Sequence, residues 1–263
     1  EFQPPRKTDN LLTKFETGGP HNVSLGEWTD DTSMAYAMAT SLIEKKEFDA
    51  DDIMHKFCQW FKDGKFSTRN KCFDIGNTIS SSLNFYLKGI REGKSNPYCG
   101  ITDHNTAGNG ALMRLAPVVI FANNSQEAIQ FAIQQTLLTH GHQMCVQYSS
   151  MLAEELYGGQ ANPYYQSFKL PVDTPEGSVS SSGFVKHTYE AAWWAFQTTN
   201  SFEDCLIKAV NRGDDADTVG AVAGMIAGRY YGLNEIPKYY KTNLMMFDEL
   251  IKIADKLSNK LKF

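Results

Sequence analysis

The chain has 263 residues, 42% of them hydrophobic, and a formal net charge of −5. That length allows one large domain or two small ones, and that apolar content supports a sizeable core and argues against wholesale disorder. Lys and Arg are scattered without a basic stripe, which argues against polymeric nucleic acid as a partner.

Five cysteines with no C-x-x-C pair argue against a disulfide framework or a thiolate zinc site, and point to reduced thiols in a cytoplasmic setting. The longest apolar run, residues 219–227, falls well short of the roughly 20 residues a membrane span needs. The chain opens at Glu1-Phe2 without a methionine, so a further N-terminal segment is expected to precede it.

In chain order, a polar loop over 17–28 leads to a helix starting just after Asp31, with Met34, Met38, Leu42 and Ile43 on one face. Ile53, Phe57, Trp60 and Phe61 mark the next helix, and another covers 77–90. A polar loop over 92–108 precedes helices at 111–122, 125–138 and 144–157. Residues 158–183 carry Pro163, Pro171 and Pro175 and form the longest irregular stretch, of the kind that is often functional. Helices follow at 186–198, 202–210, 217–230 and 245–261, the last with Phe247, Leu250, Ile251, Ala254 and Leu257 at helical spacing. Alternating strand patterns are scarce, and no linker or internal repeat divides the chain. The expectation is a single all-α domain. Gly220, Gly224 and Gly228 share one helical face, which predicts close packing of a neighbour against a central helix.

Two clusters stand out at predicted helix starts: Trp28-Thr29-Asp30-Asp31-Thr32-Ser33 and Gly213-Asp214-Asp215-Ala216-Asp217-Thr218. Taken alone, the first suits helix capping, because Asp, Thr and Ser are preferred N-caps and acids complement the helix dipole. The second places three carboxylates within four residues before an apolar helix, more than capping uses, and a cation offsets their repulsion. All the donors are oxygen, which suits Mg²⁺, Mn²⁺ or Ca²⁺ rather than zinc. Five carboxylates exceed the charge of one divalent ion, so a pair balances better.

The stretches VSLGEWTDDTSMAYAMATSLIEK, CFDIGNT, AGNGALMRLAPV, LLTHGH, SGFVKHTYEAAWWAF and AVNRGDDADTVGAVAGMIAGRYYG occur in one order across nearly the whole chain. In them the sequence resembles the ADP-ribosylglycohydrolase family, and within it the dinitrogenase reductase-activating glycohydrolase and ADP-ribosylarginine hydrolase branch. The resemblance implies a single orthogonal multi-helix domain, here lacking its first N-terminal helix, around a binuclear Mg²⁺ or Mn²⁺ centre. Its ligands would be Thr29, Asp30, Asp31, Asp215, Asp217 and Thr218, whereas Asp214 stands where many members have glycine. Gly108-Asn109-Gly110 matches the loop at the ADP-ribose diphosphate, where glycine lets backbone N–H groups approach phosphate ahead of a helix. Asp74 matches a carboxylate that pairs with the guanidinium of a modified arginine; capping of the helix after Gly76 is its alternative. His140 matches a histidine near the ribose, and Phe184 an aromatic near the adenosine end. Glu1 matches a glutamate that positions or activates water.

The implied reaction is metal-dependent hydrolysis of the N-glycosidic bond between ADP-ribose and arginine in a modified protein, releasing ADP-ribose. Asp30, Asp74, Asp217 and Glu1 would carry the chemistry. No membrane or nucleic acid is implied, and a cytoplasmic monomer is expected. Competing expectations keep the fold but change the role: hydrolysis of serine-linked ADP-ribose, poly(ADP-ribose) or O-acetyl-ADP-ribose, or an inactive ADP-ribose-binding or structural relative.

Overall fold

The computed structural model describes residues 2–7, 9–158 and 163–259. Among them are eleven α-helices: α1 (Asp30–Lys45), α2 (Ala50–Asp63), α3 (Asn77–Arg91), α4 (Ala116–Phe121), α5 (Ser125–Leu137), α6 (Gln143–Gly158), α7 (Val185–Gln197), α8 (Phe202–Val210), α9 (Ala216–Tyr231), α10 (Lys238–Asn243) and α11 (Phe247–Ser258). Extended pairing is confined to isolated bridges in the described residues, so the expected all-α class holds. No helix among them is long and apolar enough to cross a membrane.

The helices fall into two compact units. One comprises Trp28–Gly158 with Met246–Phe263 and contains α1 to α6 and α11. Its core is built from one face of α1 (Met34, Met38, Leu42) and one of α2 (Ile53, Phe57, Trp60), all buried. α1 packs against α2, α4 and α11, and α5 lies along α6. The other unit comprises Glu1–Glu27 with Gly159–Met245 and contains α7 to α10. There α9 packs on both α7 and α8.

Two features depart from the sequence expectation. Residues 111–114 form turns rather than helix, and α4 starts only at Ala116. Pro117 is the cause: its ring lacks an N–H and would meet the carbonyl of Met113, four residues back, in a continuous helix. α10 has no buried residue, so it lacks the apolar stripe that marks a helix in sequence. At the far end, α11 begins after Met246, which has a left-handed φ of 58°; Leu261, expected in this helix, lies outside the described residues.

The three glycines of α9 behave as their spacing predicts. A methyl group on Gly220 would lie 2.9 Å from Val210 Cγ1, one on Gly224 3.6 Å from Leu206 Cδ2, and one on Gly228 3.9 Å from Phe202 Cε2. These neighbours are one ridge of α8, so side chains of α8 fill the groove that the glycines leave.

Candidate active site

In the unit holding α1, Thr29 is the N-cap residue and Asp30 and Asp31 form the first turn. Both aspartates are buried, at 7% and 5% exposure. Thr29 Oγ1 donates to Asp31 Oδ2 at 3.1 Å, and Asp31 Oδ1 is screened from solvent. Thr29, the N-cap residue, makes no side-chain cap bond. By contrast α2, α5 and α8 are capped by the side chains of Asp49, Asn124 and Ser201. The dipole of α1 still favours negative charge at this end. That charge is felt nearby. The Cys72 thiol is pushed up to about 11 by burial, with the charge of Asp30 adding to the rise.

Asp74 sits in the same unit, half-buried, two residues before the N-cap residue of α3, Gly76. It adopts a left-handed φ of 57°, a region that costs a non-glycine residue and that collects at functional sites. α3 has no side-chain cap bond from Gly76.

Behind these residues lies a buried polar network that sequence patterns did not reveal. Arg114 has no exposed surface. Its Nε donates to Gln135 Oε1 at 3.0 Å, and its Nη2 donates to the Gln135 carbonyl at 3.0 Å and to Thr139 Oγ1 at 2.7 Å. Nη1 reaches Met34 Sδ at 3.6 Å, and the guanidinium lies 4.7 Å over the Phe57 ring. Burial lowers its pKa to about 9, and the charge of Asp30 counters that fall. Thr139 in turn meets His140 Nδ1 at 2.8 Å. Burial, aided by the Arg114 charge, lowers His140 to about 3, so the ring is neutral at physiological pH.

The Cε1–Nε2 edge of His140 faces Gly110. A methyl group there would lie 2.9 Å from His140 Cε1 and 2.8 Å from Ile79 Cδ1. Only glycine therefore lets this ring lie against the backbone of the Gly108-Asn109-Gly110 segment. The Asn109 carbonyl accepts from Leu112 N and Met113 N, and the Gly108 carbonyl accepts from Cys145 Sγ. These bonds fold the segment into a turn. The helix expected directly after it is displaced to α4 by Pro117. The structure thus brings the sequence-predicted His140 and Gly110 together.

The second cluster lies in the other unit. Asp215 is the N-cap residue of α9, without a side-chain cap bond, and Asp217 is in the first turn. Thr218 is buried and Asp217 Oδ1 is screened from solvent. Asp214 is exposed and has a left-handed φ of 54°, a region that glycine adopts without strain. The segment carrying Phe184 packs on this cluster. Asp215 N donates to the Ser181 carbonyl at 3.1 Å, and a methyl group on Gly183 would lie 3.0 Å from Asp215 Oδ2. Phe184 is the N-cap residue of α7 and stands edge-on to His187, 5.0 Å between centroids. His187 was not singled out from sequence; Ser182 Oγ holds its Nδ1 at 2.7 Å. Glu1 lies outside the described residues, whereas Phe2 N donates to the Asp214 carbonyl.

A family model described as ADP-ribosylglycohydrolase matches residues 1–262. The chain belongs to the ADP-ribosylglycohydrolase family. It is 35% identical to "ADP-ribosylarginine hydrolase Tri1" of Serratia proteamaculans (strain 568) over 91% of this chain and 69% of that protein. It is 31% identical to the ADP-ribosyl-(dinitrogen reductase) glycohydrolase of Rhodospirillum rubrum over 89% of this chain and 79% of that protein. A solved structure, "ADP-ribosylglycohydrolase-related protein complex", matches with a TM-score of 0.78 and 31% identity, covering 97% of this chain and 89% of that one.

Among the described residues, no group of three or more His, Cys, Asp and Glu side chains is placed to hold a metal. Each cluster instead offers two aspartates of the expected ligand set and a threonine hydroxyl. A donor set of oxygen alone, at helix ends whose N-cap residues make no side-chain cap bond, fits a hard cation such as Mg²⁺ or Mn²⁺.

Proposed function

We propose that this chain is a divalent-metal-dependent hydrolase that releases ADP-ribose from modified arginine side chains of proteins. The observation that carries the proposal is the use of the two Asp/Thr clusters. Each begins a helix whose N-cap residue makes no side-chain cap bond, and each buries oxygen donors: Asp30 and Asp31 in the first cluster, Thr218 in the second. Thr29, Asp30, Asp31, Asp215, Asp217 and Thr218 would hold two ions, Mg²⁺ or Mn²⁺. When bound, such ions neutralise the carboxylates, orient ribose hydroxyls and favour an attacking water.

The chain's own groups do the rest. The backbone at Gly108, Asn109 and Gly110 receives the diphosphate, His140 meets the ribose, and Phe184 packs near the adenosine. As the bond between the ribose C1″ and the guanidine nitrogen breaks, positive charge grows on the sugar, and the aspartates stabilise it electrostatically. The oxygen of water joins C1″. One of its protons passes through a carboxylate, Asp30 or Asp217, and the departing guanidine takes up a proton. Asp74 pairs with the guanidinium in a charge-assisted, two-point contact that serine cannot make. The name of the Serratia relative supports the arginine linkage.

The test is incubation of the purified chain with arginine-linked and serine-linked ADP-ribosyl peptides, with Mg²⁺, Mn²⁺ or a chelator, followed by chromatography of released ADP-ribose. Metal-dependent release from arginine is the expected result. Preference for serine, or equal release with chelator, overturns it.

A further inference from the structure

The hydrogen bonds around Thr139 determine which nitrogen of His140 carries its proton. Arg114 can only donate, so its 2.7 Å contact makes Thr139 Oγ1 an acceptor. The Thr139 hydroxyl still has one proton to place. Thr139 is fully buried, and the other partner of this hydroxyl among the described residues is His140 Nδ1 at 2.8 Å. A buried donor left unmade costs about 1–3 kcal/mol. The hydroxyl therefore donates to Nδ1, which is an acceptor and carries no hydrogen. The proton of the neutral ring sits on Nε2.

Arg114 cannot turn away from this duty. Gln135 holds it at two points, and Gln135 Nε2 is itself anchored on the Ala111 carbonyl at 2.9 Å. The Thr139 backbone is pinned as well, because Ser82 Oγ donates to its carbonyl at 2.9 Å. On the Cε1–Nε2 edge of the ring, Nε2 would lie 3.3 Å from a methyl group on Gly110.

We propose that Arg114 and Thr139 are positioning residues that lock His140 in the Nε2–H tautomer, so that it meets bound ADP-ribose only as a hydrogen-bond donor. The ligand part of this statement rests on the function proposed above; the tautomer does not. A ring fixed in this way prefers an oxygen acceptor such as a ribose oxygen at Nε2, and it takes no proton from the substrate.

Two measurements separate these parts. The first is long-range ¹H–¹⁵N correlation on the full chain labelled in histidine and without ligand, with His140 assigned by comparison with His140→Gln. Nε2 is expected to be protonated and Nδ1 bare. The reverse pattern overturns the proposal, whether or not the chain binds ADP-ribose. The second compares Thr139→Val, which keeps the shape and removes the hydroxyl, with Thr139→Ser, which retains it. Thr139→Val is expected to mix the tautomers and weaken ADP-ribose binding by roughly tenfold in calorimetry, the equivalent of losing one net hydrogen bond. Thr139→Ser is expected to restore both. Parental tautomer and affinity in a folded Thr139→Val overturn the proposal. If Thr139→Val does not fold, Thr139→Ser together with the parent spectrum still decides it. Failure of the parent to bind ADP-ribose sinks the functional reading alone.

Discussion

His140 is a neutral imidazole in a fully buried setting, and this has a measurable consequence. Its folded pKa of about 3 lies below the value of about 6.5 in an unfolded chain. A group depressed in this way binds protons more readily when unfolded, so the stability it protects is complete above pH 6.5 and is lost as pH falls from 6.5 toward 3. At pH 5 the loss is about 2 kcal/mol. Urea unfolding at pH 7 and pH 5 should show that excess drop in the parent and not in His140→Gln; equal drops would mean the ring is not buried neutral. Gly110 supports the same ring at its Cε1–Nε2 edge. Gly110→Ala forces a methyl group within 2.9 Å of the ring and of Ile79 Cδ1, an overpacking that costs about 1–3 kcal/mol. It should lower both the urea midpoint and ADP-ribose affinity, whereas an unchanged midpoint would show that the ring yields. The two Asp/Thr clusters stand out in sequence because the residues of each are contiguous or nearly so, and the structure sets each at the start of a helix. Arg114 and Thr139 do not stand out, because they meet across twenty-five residues and an arginine inside an apolar run carries no local signature of its partners.

Periodicity located most helices to within a residue or two, because α1, α2 and α8 each bury one continuous stripe. It failed where a different force decided the outcome. Pro117 broke the helix expected at 111–122, and α10 has no buried stripe to detect. The α8–α9 pair makes the packing rule testable. Gly224→Ala would place its methyl group in ordinary contact, 3.6 Å from Leu206 Cδ2. It should raise stability by about 1 kcal/mol, the helix propensity difference between Ala and Gly. Gly220→Ala meets Val210 Cγ1 at 2.9 Å. Valine is stiff at χ1 and cannot swing aside easily, so this variant should lose about 1–3 kcal/mol. The urea midpoints of the two variants should therefore move in opposite directions. If both rise, the α8 ridge is looser than the distances imply.

At the scale of the molecule, family motifs run in order through nearly the whole sequence, and the family model accordingly matches residues 1–262. Motif order conveys ancestry; it does not convey how the expected ligands divide between compact units. Thr29, Asp30 and Asp31 belong to one unit and Asp215, Asp217 and Thr218 to the other. This division gives the metal proposal its sharpest test. A ligand that binds only the folded state adds about 2.7 kcal/mol at a hundred times its Kd, or roughly 5–10 °C of thermal midpoint for a chain of this size. Mg²⁺ or Mn²⁺ should raise the midpoint of the parent by such an amount, and ADP-ribose should raise it further. Asp31→Asn and Asp217→Asn remove one carboxylate charge, each from a different unit, at nearly constant volume. Both variants should lose the metal-dependent shift and the release of ADP-ribose from arginine. Loss in one variant alone would assign the ions to that cluster. A full shift and full activity in both would leave the clusters as helix-end acids whose negative charge serves only the dipole of α1 and α9.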